Sequence, residues 1–71
     1  MIMATMLEFI KTVLVKVSFD KKLFEKELRK ALKVLLPEDV KQLRAWCYER
    51  FSDKYTFILN QYFRRRRLSL N

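Results

Sequence analysis

Residues 19–36 carry the most regular pattern of apolar and polar positions in the chain. At about 100° per residue, one side of a helix over this stretch would carry five apolar side chains, Phe24, Leu28, Ala31, Leu32 and Leu35. The opposite side would carry four cations, Lys22, Lys26, Arg29 and Lys33. The pattern predicts an amphipathic helix whose apolar side packs inside the protein or on another chain, while its basic side faces outward.

The stretch before it predicts a shorter helix that begins near Thr5. Thr5 and Glu8 match a capping box, in which the hydroxyl accepts a bond from a free backbone N–H. Phe9 and Val15 lie off the apolar stripe, so this helix is expected to bury more than one side. Residues 12–17 alternate and would also suit a strand, but no second alternating stretch offers a partner. A helix is therefore favoured, with the stripe Met6, Ile10, Val13, Leu14 and Val17.

Local signals divide the rest of the chain. Ser18 and Asp20 are both candidate N-caps for the central helix. Pro37 ends that helix, because the residue before a proline avoids the α region, and it suits the first position of a third helix. Glu38 and Asp39 follow in the first turn of the third helix, where the helix dipole favours acids.

Two apolar stripes follow Pro37. The first comprises Val40, Leu43, Cys47 and Phe51, with Trp46 at its edge, and the second comprises Tyr55, Ile58, Leu59, Tyr62 and Phe63. Ser52 and Asp53 favour a break between two helices. The stripes also join without a change of phase, so a single rod of roughly 40 Å is the alternative.

Composition points to the same class of fold. The 71 residues include no glycine and one proline, so turns that need positive φ are hard to build. We predict an all-α fold, a small three- to four-helix bundle, with residues 1–63 as one domain and residues 64–71 as a basic C-terminal tail. A chain this short buries only about 60% of its unfolded surface. It would need close helix packing, self-association or docking on a larger partner.

The inventory of reactive side chains argues against catalysis. There is one cysteine and no histidine, so the usual zinc sites and cysteine–histidine pairs are excluded. Cys47 lies on an apolar stripe, where burial as a small hydrophobic residue is expected. Neighbouring acids such as Glu25 and Glu27 do not face each other on a helix. We predict no catalytic residue, no metal and no cofactor, and a protein that is not an enzyme.

Charge is the strongest indication of a partner. The net charge is +8, and two elements carry the excess: the basic side of the central helix and the run Arg64, Arg65, Arg66 and Arg67. Such elements favour polyanions. We predict that both contact the phosphates of RNA or of a ribonucleoprotein, plausibly a ribosomal one. The off-stripe aromatic residues Phe57 and Tyr48 are further candidates for an interface. Reading of DNA by a helix-turn-helix is disfavoured, because Glu38 and Asp39 would repel phosphate.

Several alternatives remain open at this stage. The basic side of the central helix would also suit a solvated face with a local Glu25–Arg29 pair. The arginine run would also suit a solubilising tail or a nuclear-import patch. The apolar stripes would also suit a protein-interaction or homo-oligomerisation module without nucleic acid. A membrane partner is disfavoured, because Lys11 and Lys16 lie about 140° apart on the first helix and define no clear polar face.

The segments SFDKKLFEKELRKA and LPEDVKQLRAWC carry a resemblance that covers residues 17–51. This part of the chain resembles a group of short uncharacterised bacterial proteins. The resemblance implies a small, cytoplasmic, helical bacterial protein, and no activity. A cytoplasmic location also agrees with the unpaired cysteine, which fits a reducing compartment, and with the lack of a recognisable signal peptide.

Overall fold

The computed structural model describes residues 5–64 and places three α-helices around one apolar core. Helix α1 spans Met6–Lys16, α2 spans Lys21–Val34 and α3 spans Pro37–Leu59, and a π-helical segment, Asn60–Arg64, continues from α3. The described residues contain no strand. The prediction of an all-α chain is confirmed.

Helix α1 begins where the capping box places it, but it buries a narrower side than predicted. The Thr5 hydroxyl accepts a hydrogen bond of 3.1 Å from the Glu8 backbone N–H. Met6 is 56% exposed and Phe9 60% exposed, and Val15 is also exposed. Only one narrow side of α1 is buried, because its buried residues lie within about 60° of one another around the helix at 100° per residue. The placement of Met6 in the buried stripe is therefore wrong, as is burial of a second side; the buried residues are Leu7, Ile10 and Leu14.

Helix α2 has the two sides that its sequence predicts. Asp20 is the N-cap, and its carboxylate accepts hydrogen bonds from the backbone N–H groups of Lys22 and Leu23 at 3.0 and 3.2 Å. The predicted apolar side is buried throughout, comprising Phe24, Leu28, Ala31, Leu32 and Leu35. The predicted basic side is exposed throughout.

Helix α3 continues through Ser52, so the favoured break at that residue is wrong. The backbone leaves helical geometry three residues later, at Tyr55, with φ −125° and ψ 24°. The Tyr55 ring stacks on Phe24, and its hydroxyl donates a hydrogen bond to the Ser18 carbonyl. The Lys54 ammonium donates to the same carbonyl at 2.8 Å. Contacts across the fold thus hold Tyr55 at the kink, whereas Ser52 is exposed and has no such partner among the residues described.

Aromatic rings join α2 to α3 at the centre of the core. The Phe24 ring lies 4.4 Å from that of Tyr55 and 5.0 Å, edge to face, from that of Phe51. Trp46, at the edge of this cluster, packs edge to face against Phe51, with the two ring centres 5.5 Å apart. The predicted stripes of the C-terminal half are confirmed, and their buried members are Leu43, Cys47, Phe51, Tyr55, Ile58, Leu59 and Phe63.

Cys47 is fully buried in this core. Burial raises the pKa of its thiol from 9.0 to about 12, and the nearby Lys11 ammonium lowers it by a smaller amount. A thiol with so high a pKa is protonated at neutral pH and is not a nucleophile. The prediction that Cys47 acts as a small hydrophobic residue is confirmed.

Burial of the thiol makes stability depend on alkaline pH. Because folding raises the pKa of Cys47, the folded state holds the proton more tightly. The stabilisation is complete below pH 9 and is lost as pH rises from 9 towards about 12. We expect a loss of about 1.4 kcal/mol per pH unit in this range. Urea unfolding of the wild type and of Cys47→Ala at pH 7, 9, 10 and 11 should show the difference between them shrinking above pH 9. Parallel curves would contradict this assignment.

Candidate nucleic-acid interface

The four predicted cations of α2 form one exposed row, which we call the basic face: Lys22, Lys26, Arg29 and Lys33. Their spacing of four, three and four residues keeps them within about 60° around the helix at 100° per residue. The row extends about 16 Å along the axis at 1.5 Å per residue. The arrangement matches a surface that follows an extended anion.

The helix dipole favours only part of this charge. The first turn of α2 holds cations and no acid, although the positive end of the helix dipole disfavours cations there. Helix α3 shows the stabilising arrangement, with Glu38 and Asp39 in its first turn. Only the Asp20 cap opposes the unfavourable charge of α2 at this end. Of the basic face, Lys22 lies in this unfavourable first turn, whereas Lys33 lies in the last turn, where the dipole favours a cation.

The carboxylates near the basic face have other partners. The alternative in which Glu25 pairs with Arg29 is not found at 4.0 Å or less, and Glu25 Oε2 accepts a hydrogen bond of 2.6 Å from the Tyr62 hydroxyl. Glu27 lies on the opposite flank of α2, 3.6 Å from the Lys30 ammonium. Within residues 5–64, no cation of the basic face has a carboxylate within 4.0 Å. Their charge is available to an external anion.

The bond between Tyr62 and Glu25 brings the end of the described chain to the basic face. It joins residues 37 apart in sequence and holds the π-helical segment against α2. The hydrogen bond to Glu25 is the main cause of the raised pKa of Tyr62, and the neighbouring Arg29 acts in the opposite direction. Arg64 is exposed two residues further on. The π-helical segment that ends at Arg64 is therefore held against α2 close to Arg29.

Of the predicted arginine run, only Arg64 belongs to the described residues, as the last residue of the π-helical segment. Arg65, Arg66 and Arg67 lie outside them. The run therefore begins two residues after Tyr62, which lies on the side of α2 that carries Glu25 and Arg29.

The off-stripe aromatic residues have different surroundings. Tyr48 is half-buried, and its hydroxyl donates a hydrogen bond to the side-chain oxygen of Asn60. Its ring packs against Phe63 at 6.2 Å. Phe57 is 79% exposed and has no such role within the described chain. Of the two predicted interface aromatics, Phe57 remains available, whereas Tyr48 helps to hold the π-helical segment on α3.

Trp46 also presents an aromatic surface with charge beside it. The Lys11 ammonium lies 5.7 Å and the Arg50 guanidinium 5.9 Å from the centre of its ring. Both distances fall within the range of cation–π attraction. The two cations are engaged with the indole, which sets them apart from the basic face.

An apolar groove between α1 and α2 was not predicted. Its volume is about 210 Å³. The exposed Phe9, noted in the sequence as lying off its stripe, was the available signal, together with Val34, which lies off the apolar side of α2. The lining residues are Met6, Phe9, Ile10, Val13, Glu27, Lys30, Ala31 and Val34.

Searches for relatives add no assignment to this geometry. No protein-family model, curated protein or solved structure matches the chain. The resemblance of residues 17–51 to short bacterial proteins therefore stays a prediction. None of the helices within residues 5–64 combines the length and the apolar character needed to cross a membrane.

Proposed function

We propose that this chain is a small three-helix bundle that binds ribosomal RNA or another structured RNA in the bacterial cytoplasm. It acts by binding and not by catalysis. One observation carries the proposal: the basic face of α2 is a row of exposed cations without carboxylate partners among the described residues, and the π-helical segment that ends at Arg64 is held against the same helix.

Binding would be driven by the release of counterions from the phosphate backbone. Each cation that neutralises a phosphate frees condensed salt ions, and the rigid α2 holds its cations in place before contact. Arginine adds bidentate hydrogen bonds to phosphate, which the run from Arg64 to Arg67 would supply. The exposed ring of Phe57 would be available to stack on an unpaired base.

Structured RNA is favoured over sequence-specific reading of DNA. Helix α3 is the helix that would enter a major groove in a helix-turn-helix arrangement, and its first turn carries Glu38 and Asp39. Those carboxylates would meet phosphates and repel them. Recognition by charge and shape, through α2 and the arginine run, agrees with the way proteins bind folded RNA.

A salt titration tests the proposal. Fluorescence anisotropy would follow protein that has been stripped of nucleic acid in high salt as it binds a labelled RNA hairpin, a single-stranded RNA and a DNA duplex. We expect the logarithm of the affinity for the hairpin to fall with the logarithm of salt with a slope of about −4 to −6. No hairpin binding at 50 mM salt, or a flat dependence, would contradict RNA binding. Equal affinity for the DNA duplex would contradict the preference for RNA.

A further inference from the structure

A second stripe runs along α2, beside the basic face and on the flank that turns towards α1. It comprises Leu23, Glu27, Lys30 and Val34, which we call the mixed stripe. These residues lie within about 60° of one another around the helix at 100° per residue. The last three line the groove between α1 and α2. These three residues of the mixed stripe form, with Ala31, the α2 wall of that groove.

The groove exposes apolar surface on both of its walls. Met6 and Phe9 on α1 are exposed, and Val34 on α2 is 62% exposed. Leu23, which is 37% exposed, lies about one turn before Glu27, the first α2 residue that lines the groove. Covering this surface would lower the free energy of association with a partner, because burial of apolar side chains is the main favourable contribution to association.

The mixed stripe is complementary to a second copy of itself that runs in the opposite direction. Leu23 and Val34 lie at equal distances from the midpoint between Glu27 and Lys30. A second copy of α2, running antiparallel with a two-fold axis at that midpoint, would place Leu23 opposite the partner's Val34. The same axis would place Glu27 opposite the partner's Lys30, and the reverse. A single alignment of the two helices thus forms both the apolar and the charged contacts.

We propose that the groove between α1 and α2 is the interface of a two-fold homodimer, in which each α2 lies in the groove of its partner. The charge pattern favours a second copy over an unrelated helix. Glu27 and Lys30 have opposite signs and pair within one chain at 3.6 Å, so two copies can exchange these pairs into a ring of four alternating charges. The cations of the basic face lie to the side of this contact, so they do not oppose each other across it.

The dimer would also double the basic face. The two-fold axis of an antiparallel helix pair is perpendicular to the plane that contains both helices. A face on one side of that plane in one copy therefore lies on the same side in the partner. The rows Lys22, Lys26 and Lys33 of both copies would form one positive surface. This consequence rests on the proposed function, whereas the dimer itself does not.

Charge reversal tests the interface by sedimentation equilibrium of RNA-free protein between 5 and 500 µM. We expect the wild type to form dimers. Glu27→Lys would place four cations at the centre, and Lys30→Glu four acids, so each variant should dimerise on the order of tenfold more weakly, or worse. The two variants mixed in equal amounts should form a heterodimer, because their central charges are then opposite. Glu49→Lys, at an exposed site on α3, is the matched control and should dimerise like the wild type.

Three outcomes would overturn the proposal: a wild type that stays monomeric up to 500 µM, single reversals that dimerise normally, or a mixture that gives no heterodimer. Disulfide trapping checks the register independently of the charges. Leu23→Cys combined with Val34→Cys should form linked dimers under mild oxidation, whereas Leu23→Cys combined with Phe57→Cys should not. The native Cys47 is buried and should not interfere. Loss of RNA binding would leave these results unchanged, so the two proposals can fail separately.

Discussion

Phe24→Ala should leave a large part of the protein unfolded at 25 °C. The Phe24 side chain is fully buried, and its ring stacks on Tyr55 and meets Phe51 edge to face. Truncation of a buried phenylalanine lowers the free energy of unfolding by about 3–5 kcal/mol. At 0.05–0.15 kcal/mol per residue, a chain of this length has a total stability of about 4–10 kcal/mol. The loss on truncation of Phe24 is therefore comparable with the total free energy of unfolding.

Urea unfolding followed by circular dichroism measures this effect. Phe57→Ala is the matched control, because the same atoms are removed from a ring that is 79% exposed. We expect the control to change stability by no more than about 0.5 kcal/mol. Similar losses in both variants would show that Phe24 is not the centre of the core.

Replacement of the basic face with glutamine should remove most of the affinity for RNA without unfolding the protein. The variant changes the exposed residues Lys22, Lys26, Arg29 and Lys33. Loss of four phosphate contacts should flatten the salt slope by about 3 units. If variant and wild type converge near 1 M salt, where counterion release gives little driving force, the difference at 0.1 M is about a thousandfold.

A charge-matched control distinguishes the effect of the basic face on RNA affinity from the effect of the net charge. Glutamine at four exposed cations elsewhere lowers the net charge by the same amount, from +8 to +4. The control variant changes Lys16, Lys41, Arg44 and Arg50. We expect its salt slope to stay within about 1 unit of the wild type. Equal flattening in both variants would show that binding depends on total charge, and would contradict a specific role for α2.

Much of the fold was predictable because its signals are local. The Asp20 cap, the proline at the start of α3 and the apolar periodicity of α2 act within one or two turns. The exposed positions of the basic face follow from the same periodicity. The phase of α1 was harder, since Met6 and Leu7 are neighbours and both are apolar. Only contact with the other helices selects Leu7 for burial.

The errors in the C-terminal half have a different origin. Ser52 and Asp53 are good local caps, yet the kink of α3 lies three residues later, at Tyr55, because Tyr55 is held by Phe24 and the Ser18 carbonyl. The pairing of Glu25 was likewise decided by a residue 37 positions away. Interactions between distant residues override local preferences when they bury rings or satisfy hydrogen bonds.

The amino-acid sequence by itself determined the helices, the buried side of each of α2 and α3, and the existence of two basic elements, because periodicity and charge are properties of neighbouring residues. Only the tertiary structure decided how the end of the described chain and the edge of α1 pack on α2. The Tyr62 hydroxyl donates to the Glu25 carboxylate and holds the π-helical segment against α2, and the packing of α1 on α2 opens a groove along Glu27, Lys30 and Val34 of the mixed stripe. Both depend on contacts between segments far apart in the chain, which no local pattern records.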